Sequence, residues 1–127
     1  MPTAPIYKIC PASHWRTCQQ TGRLPLSPVD AADGFIHLSA AHQVQQTAAR
    51  HFRHQPDLVL LEVDPDRLPP GALRWEVSRG GDRFPHLYGD LPASAVLRAT
   101  PAPLDANGIP MLSVAPDPPP PDDSALA

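Results

Sequence analysis

The chain has 127 residues, 42% of them hydrophobic and 18% charged, with a net charge of −3 when the histidines are neutral. This length and composition predict one globular domain with an ordinary hydrophobic core. The absence of a basic run argues against a nucleic-acid binder, and the absence of a long apolar stretch argues against a membrane span.

The first ten residues, MPTAPIYKIC, do not have the charged and apolar regions of a signal peptide. The two cysteines, Cys10 and Cys18, form no CxxC pair, so neither a zinc site nor a disulfide is predicted. We therefore expect a cytoplasmic protein with two reduced thiols.

A strand, a helix and a loop are predicted in the first 33 residues. Residues 5–10, PIYKIC, alternate apolar and polar side chains and predict a strand. Ser13 is expected to cap a helix that ends at Gly22. Residues 23–33 contain two prolines and predict an irregular loop.

A short strand and a second helix are predicted next. Residues 33–39 read DGFIHLS, and the apolar part of this segment indicates a short strand. Ser39 is then expected to cap a helix over residues 40–54. Three apolar residues repeat along that helix at four-residue spacing: Val44, Ala48 and Phe52.

Four further strands are predicted in the second half of the chain. The segment LVLLEV at 58–63 is almost continuously apolar and predicts a central strand that is buried on both faces. The segments ALRWEVS, FPHLYG and AVLRAT at 72–78, 84–89 and 95–100 predict the others. Strand, helix, strand and helix followed by several strands indicate the α+β class.

The composition changes beyond Thr100. Eight of the 19 prolines lie in residues 101–127, where they include the run PPPP. We predict a single domain over residues 1–113 and a disordered or polyproline tail over residues 114–127. A ligand motif for a proline-binding module is the alternative for this tail, and the sequence leaves its partner open.

Several common catalytic motifs are absent. The sequence contains no HExxH, no GxSxG, no P-loop and no GxGxxG. His51 and His54, three residues apart, are the nearest approach to a helical metal site, and no metal site is predicted. Metalloproteases, serine hydrolases of the GxSxG type and P-loop enzymes are therefore disfavoured.

Isolated polar residues remain as candidates for chemistry near the predicted strand ends. They are His37, Ser39, Arg50, Glu76, Ser78, Arg79, His86 and Tyr88. Each also has a structural explanation, such as a helix cap for Ser39 or a solvated helix face for Arg50. His37 is equally well explained as a core histidine that bonds a backbone carbonyl.

The segment WEVSRGGDRFPHLYG at 75–89 concentrates these candidates around a glycine turn. Gly80 and Gly81 allow a ligand to approach the backbone closely. Trp75 and Tyr88 are suited to stack on a planar group, and the arginines are suited to bind phosphate or carboxylate. The combination predicts a ligand pocket.

The segments IYKI, DGFIHLS, LLEVD, WEVSRGG and FPHLYGDL together resemble domain-of-unknown-function family 952, from about Ile6 to Thr100. That family is grouped with the ADP-ribosyltransferase-like fold. The resemblance implies a split β-sheet core with two main helices near the N-terminus.

A more distant similarity links the chain to NAD-dependent RNA 2′-phosphotransferases, whose motifs follow the same order as IYKI, FIHLS, Arg50, LVLLEVD and WEVS. It implies NAD as the cofactor and a small nucleotide as the ligand. The residues expected to contact that ligand are Tyr7, Lys8, His37, Ser39, Arg50, Trp75, Ser78 and Tyr88. Those expected to catalyse are His37, Arg50, Glu76 and His86. Lys8 departs from the transferases, which have a histidine at its position.

Three functions follow from these residues. The resemblance implies binding of NAD or an ADP-ribose-like nucleotide, with transfer or hydrolysis of ADP-ribosyl groups. The departure at Lys8 favours a second function, a nucleotide-binding or regulatory module without turnover. The third is a small-molecule enzyme that uses His37 and His86 as acid and base, since imidazoles titrate near neutrality.

Overall fold

The computed structural model describes residues 4–114, without the side chain of Arg79. Within these residues the fold contains two antiparallel sheets and three α-helices, which confirms the α+β class. None of the helices in residues 4–114 is long and apolar enough to cross a membrane. The tail predicted for residues 114–127 lies, except for Val114, outside the described residues.

The elements follow one another in an order close to the predicted one. The strands are β1 (Ile6–Pro11), β2 (Ile36–His37), β3 (Ser39–Ala40), β4 (Leu58–Val63), β5 (Leu73–Val77), β6 (Arg83–Leu87) and β7 (Val96–Pro101). The helices are α1 (Ala12–Thr21), α2 (Pro28–Asp33) and α3 (Ala41–His51). Short 3₁₀ helices span Pro65–Arg67, Arg79–Gly81 and Ala93–Ala95. The first sheet has the order β3-β1-β4-β7, and the second has the order β2-β6-β5.

The two inner strands of the first sheet, β1 and β4, are buried on both faces. Along β1, Ile6 and Cys10 contribute to the core that the first sheet shares with the second. Tyr7 and Ile9 alternate with them and pack in a separate cluster with residues of α3. The apolar run LVLLEV forms β4, which lies between β1 and β7 as expected of a central strand.

The predicted strand FIHLS divides between the two sheets. Ile36 and His37 pair with β6, whereas Ser39 pairs with Tyr7 of β1. Between them, the backbone N–H of Leu38 donates to the carbonyl oxygen of Pro85 at 3.1 Å. The chain therefore passes from one sheet to the other within a single residue.

The predicted irregular loop contains a helix, α2. Ser27 precedes it and accepts a hydrogen bond at its Oγ from the backbone N–H of Asp30, 3.1 Å away. Pro28 occupies the first helical position, where a missing N–H costs nothing. Gly34 ends the helix with a φ of 82°, which a glycine adopts without strain. The prediction of a loop was wrong because prolines are typical of loops, whereas Pro28 stands at the first position of a helix, where proline is also favoured.

The predicted N-caps of the two longer helices were also wrong. Helix α1 begins at Ala12, directly after Pro11, without a side-chain cap, although it ends at Gly22 as predicted. Helix α3 begins after Ala40, whose backbone N–H donates to Oε1 of Gln43 at 3.0 Å. Ser39 is bonded instead to Thr47, with 3.1 Å between the hydroxyl oxygens.

Both cysteines lie in the core, where they are at most 2% exposed. Burial raises the pKa of the Cys10 thiol to about 12 and also raises the pKa of Cys18. The thiolate is the reactive form, so we expect both thiols to react slowly with a thiol reagent in the folded protein and rapidly in urea. A Ser94→Cys variant, with an exposed thiol, provides the control for reagent access. Equally fast labelling of Cys10 and of the introduced thiol in the native state would contradict this expectation.

Candidate functional site

A cleft of about 620 Å³ opens beside the first sheet. It forms because β3 pairs with β1 only at Ile6 and Tyr7, so the edge of β1 beyond Tyr7 has no partner strand on that side in the described structure. Lys8 and Ile9 line the cleft at this point. Residues of α2, α3 and β6 complete its walls.

The carboxylate of Asp30 is the most buried charge in the cleft wall, since the residue is 1% exposed. Lys8 Nζ donates to its Oδ2 at 2.8 Å. The backbone N–H of His37 donates to its Oδ1 at 3.1 Å, and the Nδ1 of the same histidine lies 2.7 Å from that oxygen. One carboxylate thus joins α2 to β1 and β2.

These contacts determine the charge of Asp30. Burial by itself would raise its pKa, but the hydrogen bonds from His37 and the charge of Lys8 outweigh that effect. They hold the pKa of the carboxyl group well below its usual range. Asp30 is therefore ionised in the folded protein at neutral pH.

The imidazole of His37 lies between two carboxylates. Its Nδ1 is 2.7 Å from Oδ1 of Asp30, and its Nε2 is 3.0 Å from Oδ2 of Asp33. The contact at Nδ1 is a hydrogen bond, whereas the contact at Nε2 becomes an ion pair when the imidazole is protonated. A protonated His37 lies between two negative charges in this geometry. With His37 protonated, the charges alternate in sign along Lys8, Asp30, His37 and Asp33, which we call the charge row.

A second histidine is held by a carboxylate on the same face of the second sheet. His86 lies opposite His37 in the pairing of β6 with β2. Its Nδ1 is 2.9 Å from Oε1 of Glu76, and the hydroxyl of Tyr88 donates to the same oxygen at 2.6 Å. The ring of Phe35 stacks on the imidazole of His86 with 4.1 Å between centroids.

The protonation of this second cluster follows from its contacts. Hydrogen bonds from Tyr88 and His86 lower the pKa of Glu76, and the hydrogen bond to Glu76 raises the pKa of Tyr88. Glu76 is therefore ionised and accepts from the Nδ1–H of His86. No other hydrogen bond from a described group reaches this imidazole, so Nε2 is the nitrogen that is left for a ligand.

Six of the residues that the sequence singled out line the cleft. They are Tyr7, Lys8, His37, Ser39, Ser78 and His86. Tyr7 is 1% exposed, and its hydroxyl donates to Glu62 at 3.2 Å. We therefore regard Tyr7 as part of the cleft floor.

Four of the singled-out residues do not line the cleft: Arg50, Trp75, Glu76 and Tyr88. Thr47 and His51 line it from α3 at four-residue spacing, and Arg50 lies outside that row and is exposed. Trp75 precedes Glu76 on β5, so it projects from the opposite face of the sheet. Glu76 reaches the cleft only through His86. The side chain of Arg79 lies outside the described part of the chain.

Four cleft residues with titratable side chains were not among the sequence candidates. They are His14, Asp30, Asp33 and His51. The pattern Ser27, Pro28 and Asp30 is a helix-start signal, and it would have placed both aspartates on one short helix ahead of His37. His14 and His51 carry no comparable signal. Among the described residues, no group of three or more His, Cys, Asp or Glu side chains is close enough to hold a metal ion.

The chain matches the model of one protein family, DUF952, described as a protein of unknown function, over residues 9–99. No curated protein sequence matches the chain.

The fold is similar to solved structures of protein CC0527 from Caulobacter crescentus. Its crystal structure is 51% identical in sequence, with a TM-score of 0.82 over 86% of this chain and 95% of that one. A crystal structure of a double mutant of that protein is 50% identical, with the same TM-score and coverage. Its solution NMR structure gives a TM-score of 0.73 at 51% identity over 85% of this chain and 92% of that one.

The charge row makes a prediction about stability. In an Asp30→Asn variant, the buried charge of Lys8 loses its partner, and we expect the free energy of unfolding to fall by about 3 kcal/mol. The Asp33→Asn variant removes a half-exposed carboxylate and should cost less than about 1 kcal/mol. Urea denaturation at neutral pH measures both changes.

The acid dependence provides the check on this stability prediction. The pKa of Asp30 is lower in the folded than in the unfolded chain. Its stabilising contribution is therefore present above the unfolded pKa of about 4 and is lost as the pH falls below it. The difference between the wild type and the Asp30→Asn variant should shrink in acid. A difference that stays constant from neutral pH into strong acid would contradict this assignment.

Proposed function

The chain belongs to the DUF952 family, and we propose that it binds NAD or an ADP-ribose-like nucleotide in the cleft beside His37. One observation carries this proposal. Residues that the resemblance to NAD-dependent transferases singled out in three separate segments line a single cleft: Tyr7, Lys8, His37, Ser39 and Ser78. The division of the strands into two sheets supports the accompanying proposal of an ADP-ribosyltransferase-like fold.

The cleft has the size and chemistry for such a ligand. Its volume of about 620 Å³ falls within the range of about 300–1,000 Å³ found for small-molecule sites. Ser39 and Ser78 contribute hydroxyl groups that suit ribose, and Phe52 and Phe84 contribute aromatic surface. Hydroxyl and aromatic groups side by side are what a nucleoside requires.

The anionic part of the ligand would be bound by His37. Arg50, the residue expected to bind phosphate, is exposed and does not line the cleft. Lys8 lines it, but its ammonium group is already paired with Asp30. A protonated His37 is then the cation with the more replaceable partner, because the side chain of Asp33 is 49% exposed.

A reaction on this ligand would use His86 as the base. Bound NAD would supply a ribosyl group whose bond to nicotinamide breaks as an oxygen nucleophile attacks. The nucleophile loses its proton to Nε2 of His86, whose Nδ1–H is held by Glu76 at 2.9 Å. The bonding electrons leave with nicotinamide, and the chain's residues otherwise orient the ligand and exclude water.

A second candidate function is acid–base catalysis on a small molecule other than a nucleotide. The observation that favours it is the pair of imidazoles, each held at Nδ1 by a carboxylate, with 5.7 Å between ring centroids. When it is protonated, His37 carries hydrogen on both nitrogens and suits an acid. His86 has a free Nε2 and suits a base.

Ligand binding tests the first candidate. We expect ADP-ribose or NAD to raise the melting temperature, with a stabilisation of about 2.7 kcal/mol at a concentration 100 times the Kd. A His37→Gln variant should lose most of this shift. His42→Gln and Arg50→Ala, which alter exposed residues of α3 outside the cleft, should keep it.

The outcome also separates binding from turnover. The absence of any shift with millimolar NAD or ADP-ribose would refute nucleotide binding. A shift without release of nicotinamide would identify a nucleotide-binding module, the alternative that the departure at Lys8 favours. Release of nicotinamide would identify an enzyme.

The protonation of His86 tests the second candidate. We expect ¹⁵N NMR of the imidazoles to show His86 as the neutral tautomer with hydrogen on Nδ1, because ionised Glu76 accepts from that nitrogen. In a Glu76→Gln variant the tautomer preference should weaken, since an amide both donates and accepts. Hydrogen on Nε2 of His86 in the wild type would rule out its role as the base.

A further inference from the structure

We infer that Asp33 occupies the position of an anionic ligand oxygen in the free protein, and that the cleft takes a phosphate or carboxylate group by displacing Asp33 from Nε2 of His37. The inference deepens the proposed function and takes its cleft from it. It concerns the part of the ligand that the site recognises, whatever group that part is attached to.

The two carboxylates on His37 differ in how easily they can be replaced. Asp30 is 2% exposed at its side chain and is also bonded to Lys8 and to the backbone of His37. Asp33 is 49% exposed at its side chain, and its contact with Nε2 at 3.0 Å is the only polar contact that its carboxylate makes with a described group. A ligand can therefore replace Asp33 and leave Asp30 in place.

The position of Asp33 in the chain keeps the free-energy cost of moving its side chain away from His37 small. It is the last residue of α2, directly before Gly34, whose left-handed backbone ends the helix. The contact with His37 is local, four residues along the chain. A rotation of the Asp33 side chain into water breaks one contact. It leaves the helix and the hydrogen bond between His37 and Asp30 unchanged.

The charge row shows why the replacement has to be an anion. Without Asp33 and with His37 protonated, the groups that remain are Lys8 and His37, both positive, and Asp30, which is negative. One positive charge is then uncompensated at the cleft wall. A phosphate or carboxylate oxygen restores the balance and accepts a charge-assisted hydrogen bond from Nε2–H.

The same competition gives selectivity. A neutral hydroxyl or carbonyl oxygen accepts a weaker hydrogen bond from an imidazolium than a carboxylate or phosphate oxygen does. Only a ligand group with its own negative charge matches the electrostatic contact that it replaces. Uncharged ligands therefore bind less tightly, because they have to compete with Asp33 for His37.

Titration calorimetry on the full chain tests the inference. The probes are ADP-ribose, inorganic phosphate and acetate, with adenosine as the uncharged probe. An Asp33→Asn variant removes the competing charge, and we expect it to bind the charged probes about five- to tenfold more tightly. Asp90→Asn removes an equally negative but 71% exposed side chain outside the cleft, so it is the matched control. We expect that control to change each affinity by less than about twofold.

The results distinguish this inference from the proposed function. Equal affinities of the wild type and the Asp33→Asn variant for every charged probe would overturn the inference and leave nucleotide binding standing. Tighter binding of phosphate or acetate by the variant, with no binding of ADP-ribose by either protein, would support the inference and reject the proposed function. Failure of all three charged probes to bind either protein would overturn the inference.

A measurement on the wild type removes any dependence on the folding of the variant. Addition of inorganic phosphate should shift the ¹⁵N signal of Nε2 of His37, where Asp33 is displaced, more than that of Nδ1, which stays on Asp30. Equal shifts at both nitrogens, or none at saturating phosphate, would count against the displacement of Asp33.

Discussion

The buried carboxylate of Asp30 has to remain charged in a wall of the core, and much of the site follows from how that is achieved. An isolated ion at this depth would be strongly destabilising, so its oxygens need donors from elsewhere in the chain. Lys8 of β1 supplies one, and His37 of β2 supplies both its ring and its backbone N–H. The carboxylate therefore fixes the orientation of the imidazole and, with it, the nitrogen that faces a ligand.

Most of the strands and the two longer helices could be predicted from the sequence, and the elements that were not predicted have identifiable physical causes. Strands with continuous or alternating apolar residues, such as 58–63, were placed within a residue or two, because burial on one or both faces determines those patterns. The helix α2 was missed because its start signal, Ser27, lies between two prolines, Pro25 and Pro28, which are also typical of loops. The division of FIHLS between two sheets leaves no periodic trace, since two residues are too few for a period.

The candidate site was predictable in part for a related reason. Residues on strands, such as Lys8, His37 and His86, were located because the strands that carry them were located. Arg50 was expected in the cleft through a resemblance in order and spacing, but helix α3 places Thr47 and His51 there instead. The partners of each histidine are long-range contacts, which a single sequence does not encode in its local pattern.

The crossing at Leu38 has a consequence for how the chain tolerates changes in length. His37 and Ser39 line the same cleft but belong to different sheets, with one residue between them. Since successive strand residues face opposite sides, an insertion or deletion here would reverse the facing of one of the two side chains. Loops that do not line the cleft can lengthen at a small entropic cost. We therefore expect an insertion or deletion within residues 37–39 to disrupt the cleft, whichever side chains these residues carry.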